Sequence, residues 1–368
     1  MKIGILTITP NIGFGGIMQA YALKYILEKL GHDVQVVNYT TKVSIKDFVL
    51  FFIKSILKFT QGEYTKFFPK SEFKYKSQNV LPFIEENLNF SQKVTSKHEL
   101  VQLINTSYEA VVVGSDQVWR PKYVLGIANY FFDGIDSNIK RLAYAASFGV
   151  ENFEYTKEEA IKCSELLNYF SYVSVREKSG IDIVKKNLCY AGDVNCDLDP
   201  TLLVGRSAYK KFLSNKGLSK GKVFTYILDY TKKKEEVVEL VSKTFDVEVY
   251  RFNTNAENPQ KKLEERVAPP VEDWLNGIYS AKFVVTDSFH GCVFSILFNK
   301  PFVVYVNKNR GAERFVSILS QLDLLDRLVY DLSEFDSAIL TKSIDWNKVN
   351  IYLELQRKEI ANRLKIAL

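Results

Sequence analysis

Short apolar runs, each bounded by polar turns, recur along this 368-residue chain. "IGILTI" (3–8), "AVVVG" (110–114), "LAYAAS" (142–147) and "YVSV" (172–175) fall in its first half; "KVFTYIL" (222–228), "KFVVT" (282–286) and "PFVVYV" (301–306) fall in its second. A strand that is apolar at successive positions must be covered on both faces, and sheets built of such strands are parallel with helices on either side. The segments between the runs supply the helices. In "IMQAYALKYILEKL" (17–30), Ala20, Leu23, Leu27 and Leu30 share one face, and Gly31 provides the left-handed stop before the strand "DVQVVNY" (33–39). That is a βαβ unit, with a right-handed crossover expected.

A polar stretch around 205–222 interrupts the alternation, which then restarts with a strand at 222–228, a charged helix at 232–244, a strand at 247–252 and a helix at 271–280. A chain of this length is also too long for one hydrophobic core. The expectation is α/β, with two Rossmann-like domains facing a cleft: residues 1–205, residues 206–345, and a last amphipathic helix within 346–368 that packs on either domain, the first included.

Net charge is +6, mild for this size, with Lys and Arg spread along the chain and no nucleic-acid-binding signature. No apolar run approaches the roughly 20 residues of a membrane span, and "MKIGILTITP" reads as a first strand, not a signal peptide. Cys163, Cys189, Cys196 and Cys292 form no CxxC pair and no zinc spacing, which suits reduced thiols in the cytoplasm and gives no reason to expect a metal. One stretch breaks the rhythm. Residues 45–76 hold "IKDFVLFFIKSILKF", amphipathic if helical, followed by lysines at 66, 70, 74 and 76 among aromatics. Such an insert either covers the first domain with its apolar face or lies peripherally against anionic lipid at the inner face of the membrane.

The loop "TPNIGFGGIMQ" (9–19) fails as a dinucleotide fingerprint, because Met18 stands where the third glycine belongs and the second strand ends in Asn38-Tyr39 where an acid should be. Its glycines still allow a ligand to approach backbone N–H groups at a helix N-terminus. The chain has three histidines. His32 follows a helix stop, and His98 follows Ser96 in a capping box with Glu99. His290, in "TDSFHG", stands where a strand ends and a helix begins, the position at which open α/β sheets bind ligands. With Ser288 before it and Gly291 after it, an anion there would meet N–H groups and the positive end of a helix dipole. Arg176, in "SVREKSG", holds the equivalent place in the first domain, where it either captures an anion bidentately or pairs with Glu177 or another nearby acid. Lys308, Arg310 and Arg314 follow the strand after the His290 helix. These cations and a histidine around a cleft point to a small, multiply anionic ligand.

Taken together, "GGIMQAYALKYILEKLGHDVQVVNY" (15–39), "VVVGSDQVWRP" (111–121), "KRLAYAASFG" (140–149), "SVREKSG" (174–180), "LDPTLL" (198–203), "DWLNGIYSAKFVVTDSFHGCVFSILFNKPFVVY" (273–305) and "LSQLDLLDRLV" (319–329) resemble the bacterial polysaccharide pyruvyl transferase family. The resemblance implies a glycosyltransferase-B-like pair of Rossmann domains, phosphoenolpyruvate as donor co-substrate, and no metal or organic cofactor. It also implies a sugar acceptor, of the lipid-linked oligosaccharide kind, on two hydroxyls of which a pyruvate ketal forms in cell-surface polysaccharide biosynthesis. The family's arginine and histidine carry over to Arg176 and His290. The place of its lysine falls on Arg310, with Lys308 two residues earlier.

On that reading His290 supplies a proton or holds the departing phosphate, while Arg176, Arg310, Lys308 and Arg314 neutralise the donor, with Ser288 and Gly291 at the helix end. The acceptor is expected against the first domain. There Asp116 would engage a hydroxyl and Trp119 would stack on a pyranose face, with Asn11 and Gln19 nearby; equally, Asp116 would cap a turn and Trp119 would sit in the core. Two other functions fit the same frame: a nucleotide-sugar-dependent glycosyltransferase, and a non-catalytic carbohydrate-binding subunit.

Overall fold

A computed structural model describes residues 1–40, 70–214, 217–258, 260–306, 311–331 and 335–368. Two wholly parallel sheets organise them. The first contains β1 (Lys2–Leu6), β2 (Asp33–Val36), β3 (Ala110–Gly114), β4 (Lys140–Ala146), β5 (Phe170–Val175) and β6 (Asn195–Cys196), in the order β2-β1-β3-β4-β5-β6. The second contains β7 (Val223–Tyr226), β8 (Val249–Arg251), β9 (Phe283–Thr286), β10 (Phe302–Tyr305) and β11 (Leu328–Val329), in the order β11-β10-β9-β7-β8. The apolar runs occupy the sheet centres, as burial on both faces demands: β3, β7, β9 and β10 are buried at every position. This is the expected α/β arrangement of two parallel, Rossmann-like sheets.

The first helix, Phe14–Lys29, starts earlier than its apolar period suggests and takes Gly15 and Gly16 into its first turn. Its burial is not one-sided. Ile17 through Leu23 are all buried, because the second sheet's helices cover the side that a lone βαβ unit would expose to water. Phe14 stacks on Trp274 (centroids 5.8 Å apart) and meets Phe252 edge-on at 5.3 Å, while Tyr21 packs against Phe212 at 5.3 Å. One apolar cluster therefore runs from Ile3 and Ile5 of the first sheet through this helix to Val284 and Val304 of the second. The outer faces of the two sheets have their own clusters. The cleft is a notch in a continuous core, at the carboxyl ends of both sheets.

The last helix, Trp346–Ala367, crosses between the halves. Near its start, Lys348 pairs with Asp323 at 3.0 Å and Tyr352 donates to Gln321 at 2.9 Å; further on, Arg357 donates to the Leu202 carbonyl at 2.7 Å. Arg363 then reaches Asp197 at 2.6 Å, a carboxylate that also accepts from the Tyr172 hydroxyl. The buried stripe Val349, Leu353, Ile360 and Leu364 faces the core. Of the basic aromatic insert, residues 45–69 lie outside the described residues. Its tail, the helix Lys70–Lys76, docks on the second half: Glu72 takes an ion pair from Arg266 at 2.7 Å, and the Lys76 carbonyl accepts from Ala268 N–H at 2.9 Å.

Arg363→Ala should leave the buried Asp197 carboxylate with Tyr172 alone. The expected loss is about 2 kcal/mol, the scale of an under-satisfied buried polar group, read by urea denaturation; an unchanged midpoint would contradict the crossing role of this helix.

Candidate active site

β9 ends at Thr286, and the chain turns through Asp287 and Ser288 into the helix Phe289–Leu297. Each corner residue is tied. Thr286 Oγ1 donates to the Tyr226 carbonyl at 2.6 Å and accepts from Ser288 N–H at 3.0 Å. Asp287, buried, accepts from the backbone N–H groups of Leu228 (2.6 Å) and Asp229 (3.0 Å) and from Lys234 Nζ (2.7 Å). Ser288 Oγ caps the helix by accepting from Gly291 N–H at 3.4 Å. That N–H is thus committed to the cap, which corrects the expectation that Gly291 offers it to a ligand. Gly291 is needed for space, because a Cβ there would stand 2.4 Å from Thr286 Oγ1. The N–H groups of Phe289 and His290, in the first turn, have no partner within the helix.

His290 lines a cleft of about 590 Å³ together with Ser288, Phe289, Arg314, Asp116 and the loop at Gly13–Gly16. Its Nδ1 side presses on the first helix. A Cβ on Gly15 would come within 2.1 Å of Nδ1, closer than any real contact, so glycine is required for the imidazole to sit there. The glycine loop thus lets one half of the protein approach the other. On the opposite side of the ring, Nε2 stands 3.4 Å from Asp199 Oδ2.

Asp199 is the residue that sequence reasoning missed. The Asp-Pro pair signals a helix start, and Asp199 does cap the short helix Pro200–Leu203, its Oδ1 accepting from Thr201 N–H at 3.0 Å and Thr201 Oγ1 at 2.6 Å. Nothing local reveals the second task. Oδ2 accepts from Arg176 Nη1 at 2.8 Å and Ser115 Oγ at 3.3 Å while facing His290. Burial pushes the Asp199 carboxyl up, but His290 and Arg176, with the Thr201 hydroxyl, hold it well below the ordinary carboxylate range.

Arg176 follows β5 and is buried. Its partner is Asp199, not Glu177; Glu177 instead accepts from Phe148 N–H (2.7 Å), Gly149 N–H (2.9 Å) and Ser147 Oγ (3.1 Å). Arg176 Nη2 lies 3.6 Å from Asp116 Oδ1, and neither Nη2 nor Nε makes a hydrogen bond among the described residues. The guanidinium lies 4.6 Å from the Phe289 ring centre, and that of Arg314 lies 5.3 Å from the same ring. Burial, then the neighbouring Arg176, pull the Arg314 guanidinium down to about 10. Arg314, an imidazole and a helix N-terminus line one end of the cleft, with the Arg176 guanidinium buried next to it, an arrangement suited to an anion.

The acceptor-side candidates divide. Asp116 lines the cleft, half-buried beside Gly16. Trp119 does not: it is fully buried, stacked on Phe131 (centroids 4.8 Å apart), with Nε1 donating to the Tyr130 carbonyl at 3.1 Å, so no pyranose reaches it. Gln19 is also fully buried, donating to Thr7 Oγ1 at 3.0 Å and the Gly16 carbonyl at 3.1 Å. Asn11 is exposed, and its Oδ1 accepts from Ile12 N–H at 2.6 Å within its own loop. His98 is exposed and His32 half-buried, both away from the cleft lining. Lys308 and Arg310 lie outside the described residues. Among the described residues there is no metal-ligand cluster and no helix long and apolar enough to cross a membrane.

Asp199→Asn should remove one charge from the Arg176–Asp199 pair and cost about 3 kcal/mol at neutral pH, as breaking a buried ion pair does. A carboxyl with a depressed folded pKa contributes stability that is complete above its unfolded value, near 3.9, and lost as pH falls toward the folded one. The stability gap between wild type and variant should therefore narrow below about pH 4. A gap that stays constant from neutral to acid in urea titrations would exclude this account.

No curated protein matches the chain. Among solved structures, it is similar to Methanocaldococcus jannaschii UDP-GlcNAc 2-epimerase in complex with UDP-GlcNAc and UDP (14% identity over 96% of this chain and 93% of that one, TM-score 0.46). It is also similar to Rickettsia bellii UDP-N-acetylglucosamine 2-epimerase (10% identity, 96% and 94%, TM-score 0.46) and to an alpha-glucosyltransferase in complex with UDP (11% identity, 97% and 94%, TM-score 0.47). These are loose matches and carry no functional argument. A family model described as polysaccharide pyruvyl transferase matches residues 11–309, a span that takes in the glycine loop, Asp116, Arg176, Asp199 and His290. The chain belongs to the polysaccharide pyruvyl transferase family.

Proposed function

We propose that the protein transfers pyruvate from phosphoenolpyruvate to two hydroxyls of a sugar, forming a pyruvate ketal. The observation that carries this reading is the end of the cleft where His290 and Arg314 meet Phe289 and a helix N-terminus, with the Arg176 guanidinium buried against the same Phe289 ring. Phosphoenolpyruvate is a small ligand with a carboxylate and a phosphate, and it suits an end that offers a guanidinium, an imidazole and helix N–H groups.

Its C2 accepts a nucleophile only once C3 takes a proton, so the reaction needs a general acid within reach of the enol. His290 is the cleft-lining imidazole, and Asp199 and Gly15 fix its ring on either side. As imidazolium it gives its proton to C3, turning the methylene into a methyl group. The first sugar hydroxyl adds to C2 and releases its proton. The C2–O bond to phosphate then breaks with its electron pair, phosphate leaves, and the second hydroxyl closes the ring and loses its proton. Arg176 and Arg314 balance charge on the donor through these steps. Asp116, at the cleft and 3.6 Å from Arg176, accepts a proton from an incoming hydroxyl on this reading. The acceptor is read as a sugar on a lipid-linked oligosaccharide, and no metal or organic cofactor takes part.

Incubation with phosphoenolpyruvate and a panel of nitrophenyl and lipid-linked sugars should release phosphate and add the mass of one pyruvate less water to one acceptor. His290→Ala should lower turnover at least ~100-fold, the lower bound for general acid catalysis, with its circular dichroism unchanged. Undiminished turnover in a folded His290→Ala would remove the imidazole from the mechanism, and a panel with no transfer at all would remove the reaction.

A further inference from the structure

The wall of the cleft away from the arginines has a different chemistry. It is built by the loops after β7 and β8, which emerge side by side at the carboxyl edge of the second sheet. Thr254 Oγ1 ties the two loops by donating to the Ile227 carbonyl at 2.8 Å, and Asn253 Nδ2 anchors the second by donating to the Glu265 carbonyl at 3.0 Å. Tyr230, Asn255 and Asn258 line the cleft here, beside Leu228 and Asp229. Tyr230 is 59% exposed, whereas Phe14, Tyr226 and Phe289, the other aromatics of the lining, are buried. The side-chain amide of Asn255 makes no hydrogen bond among the described residues, and Asn258 engages only its Oδ1, with Gln260 N–H at 3.0 Å. An accessible aromatic face beside uncommitted planar amides suits a neutral polyhydroxylated ring: the ring packs its C–H face on the phenol, and its hydroxyls meet groups that both donate and accept. No Lys or Arg among the described residues lines this wall.

The wall is also braced from the catalytic corner. Asp287, three residues before His290, holds the Leu228 and Asp229 N–H groups, and Lys234 Nζ bonds both Asp287 (2.7 Å) and the Asp229 carbonyl (2.6 Å). That buried pair fixes the loop that carries Tyr230. With Trp119 and Gln19 sealed in the first half, we propose that the sugar acceptor docks on the second half, its ring on Tyr230 and its hydroxyls on Asn255 and Asn258. This places the acceptor ring on loops of the second sheet, the sheet that also carries His290, and rests on the pyruvyl-transfer reading for the word acceptor.

Saturation-transfer NMR titrations of the full chain with methyl galactoside, methyl mannoside and methyl N-acetylglucosaminide test it, alongside calorimetric titration with phosphoenolpyruvate. Tyr230→Ala and Asn255→Ala, both away from the core, should each weaken sugar binding by about tenfold, the scale for truncating an anchoring contact, and leave phosphoenolpyruvate affinity within twofold of wild type. Unchanged sugar affinity in both variants, or a wild type that binds no sugar of the panel, overturns the proposal. Sugar binding that falls in the variants, in a protein that never binds phosphoenolpyruvate, keeps the sugar wall and removes the donor assignment instead.

Discussion

One buried carboxylate links the two halves at the point where chemistry is expected. Asp199 belongs to the first half by sequence, caps a helix there, and receives Arg176 from the end of β5. Its second oxygen also faces His290, which rises from the second sheet. A carboxylate taken out of water is tolerated only when cations and hydrogen bonds surround it, and Asp199 draws these from both halves. His290 can therefore hold its place only when the halves are closed on each other. Gly15 completes the arrangement from the other side of the ring, since any side chain there would occupy the imidazole's space.

Closure is secured elsewhere by apolar packing. A two-domain enzyme whose halves met only through polar side chains would open readily, because interfaces between domains are usually modest and wet. Here the aromatic group of Phe14, Trp274, Phe252 and Tyr226 makes the interface an extension of the core, and the helix at Trp346–Ala367 straps the back. The cleft is then a fixed gap between loop edges. A fixed gap suits a reaction in which a small donor and one sugar ring have to meet without a wide hinge motion.

Much of this was legible in the sequence, and the exceptions share a cause. Buried strands such as β3 and β9 stand out because burial on both faces leaves an unbroken apolar run. The two-residue strands β6 and β11 carry no such run and are defined only by what they pair with. His290 and Arg176 were visible because strand ends in parallel sheets concentrate function. Asp199 was hidden behind a sufficient local explanation, a helix cap. Trp119 was open between a sugar platform and a core residue, and the second holds: its neighbours Phe131, Phe148 and Phe170 come from elsewhere in the chain and enclose it. The first helix was read as starting at Ile17, after a glycine-containing loop; Gly15 and Gly16 belong to its first turn, and Gly15 is glycine because the imidazole from the other half fits against it.

The charges around Arg176 carry a further constraint. Arg314 lines this end of the cleft and Arg176 is buried against the same Phe289 ring, and the acids that act on these two charges are Asp199, Asp116 and Glu177. Among the described residues, these are two guanidinium groups against three carboxylates, and a protonated His290 brings the two signs level. Phosphoenolpyruvate brings a carboxylate and a phosphate. Held by these residues alone it would face as much negative charge as positive, and desolvating it would gain little. On the proposed reading, further cations complete the donor site. Lys308 and Arg310, just before Gly311 and Arg314 in the sequence, are the residues of this chain best placed in sequence to supply them.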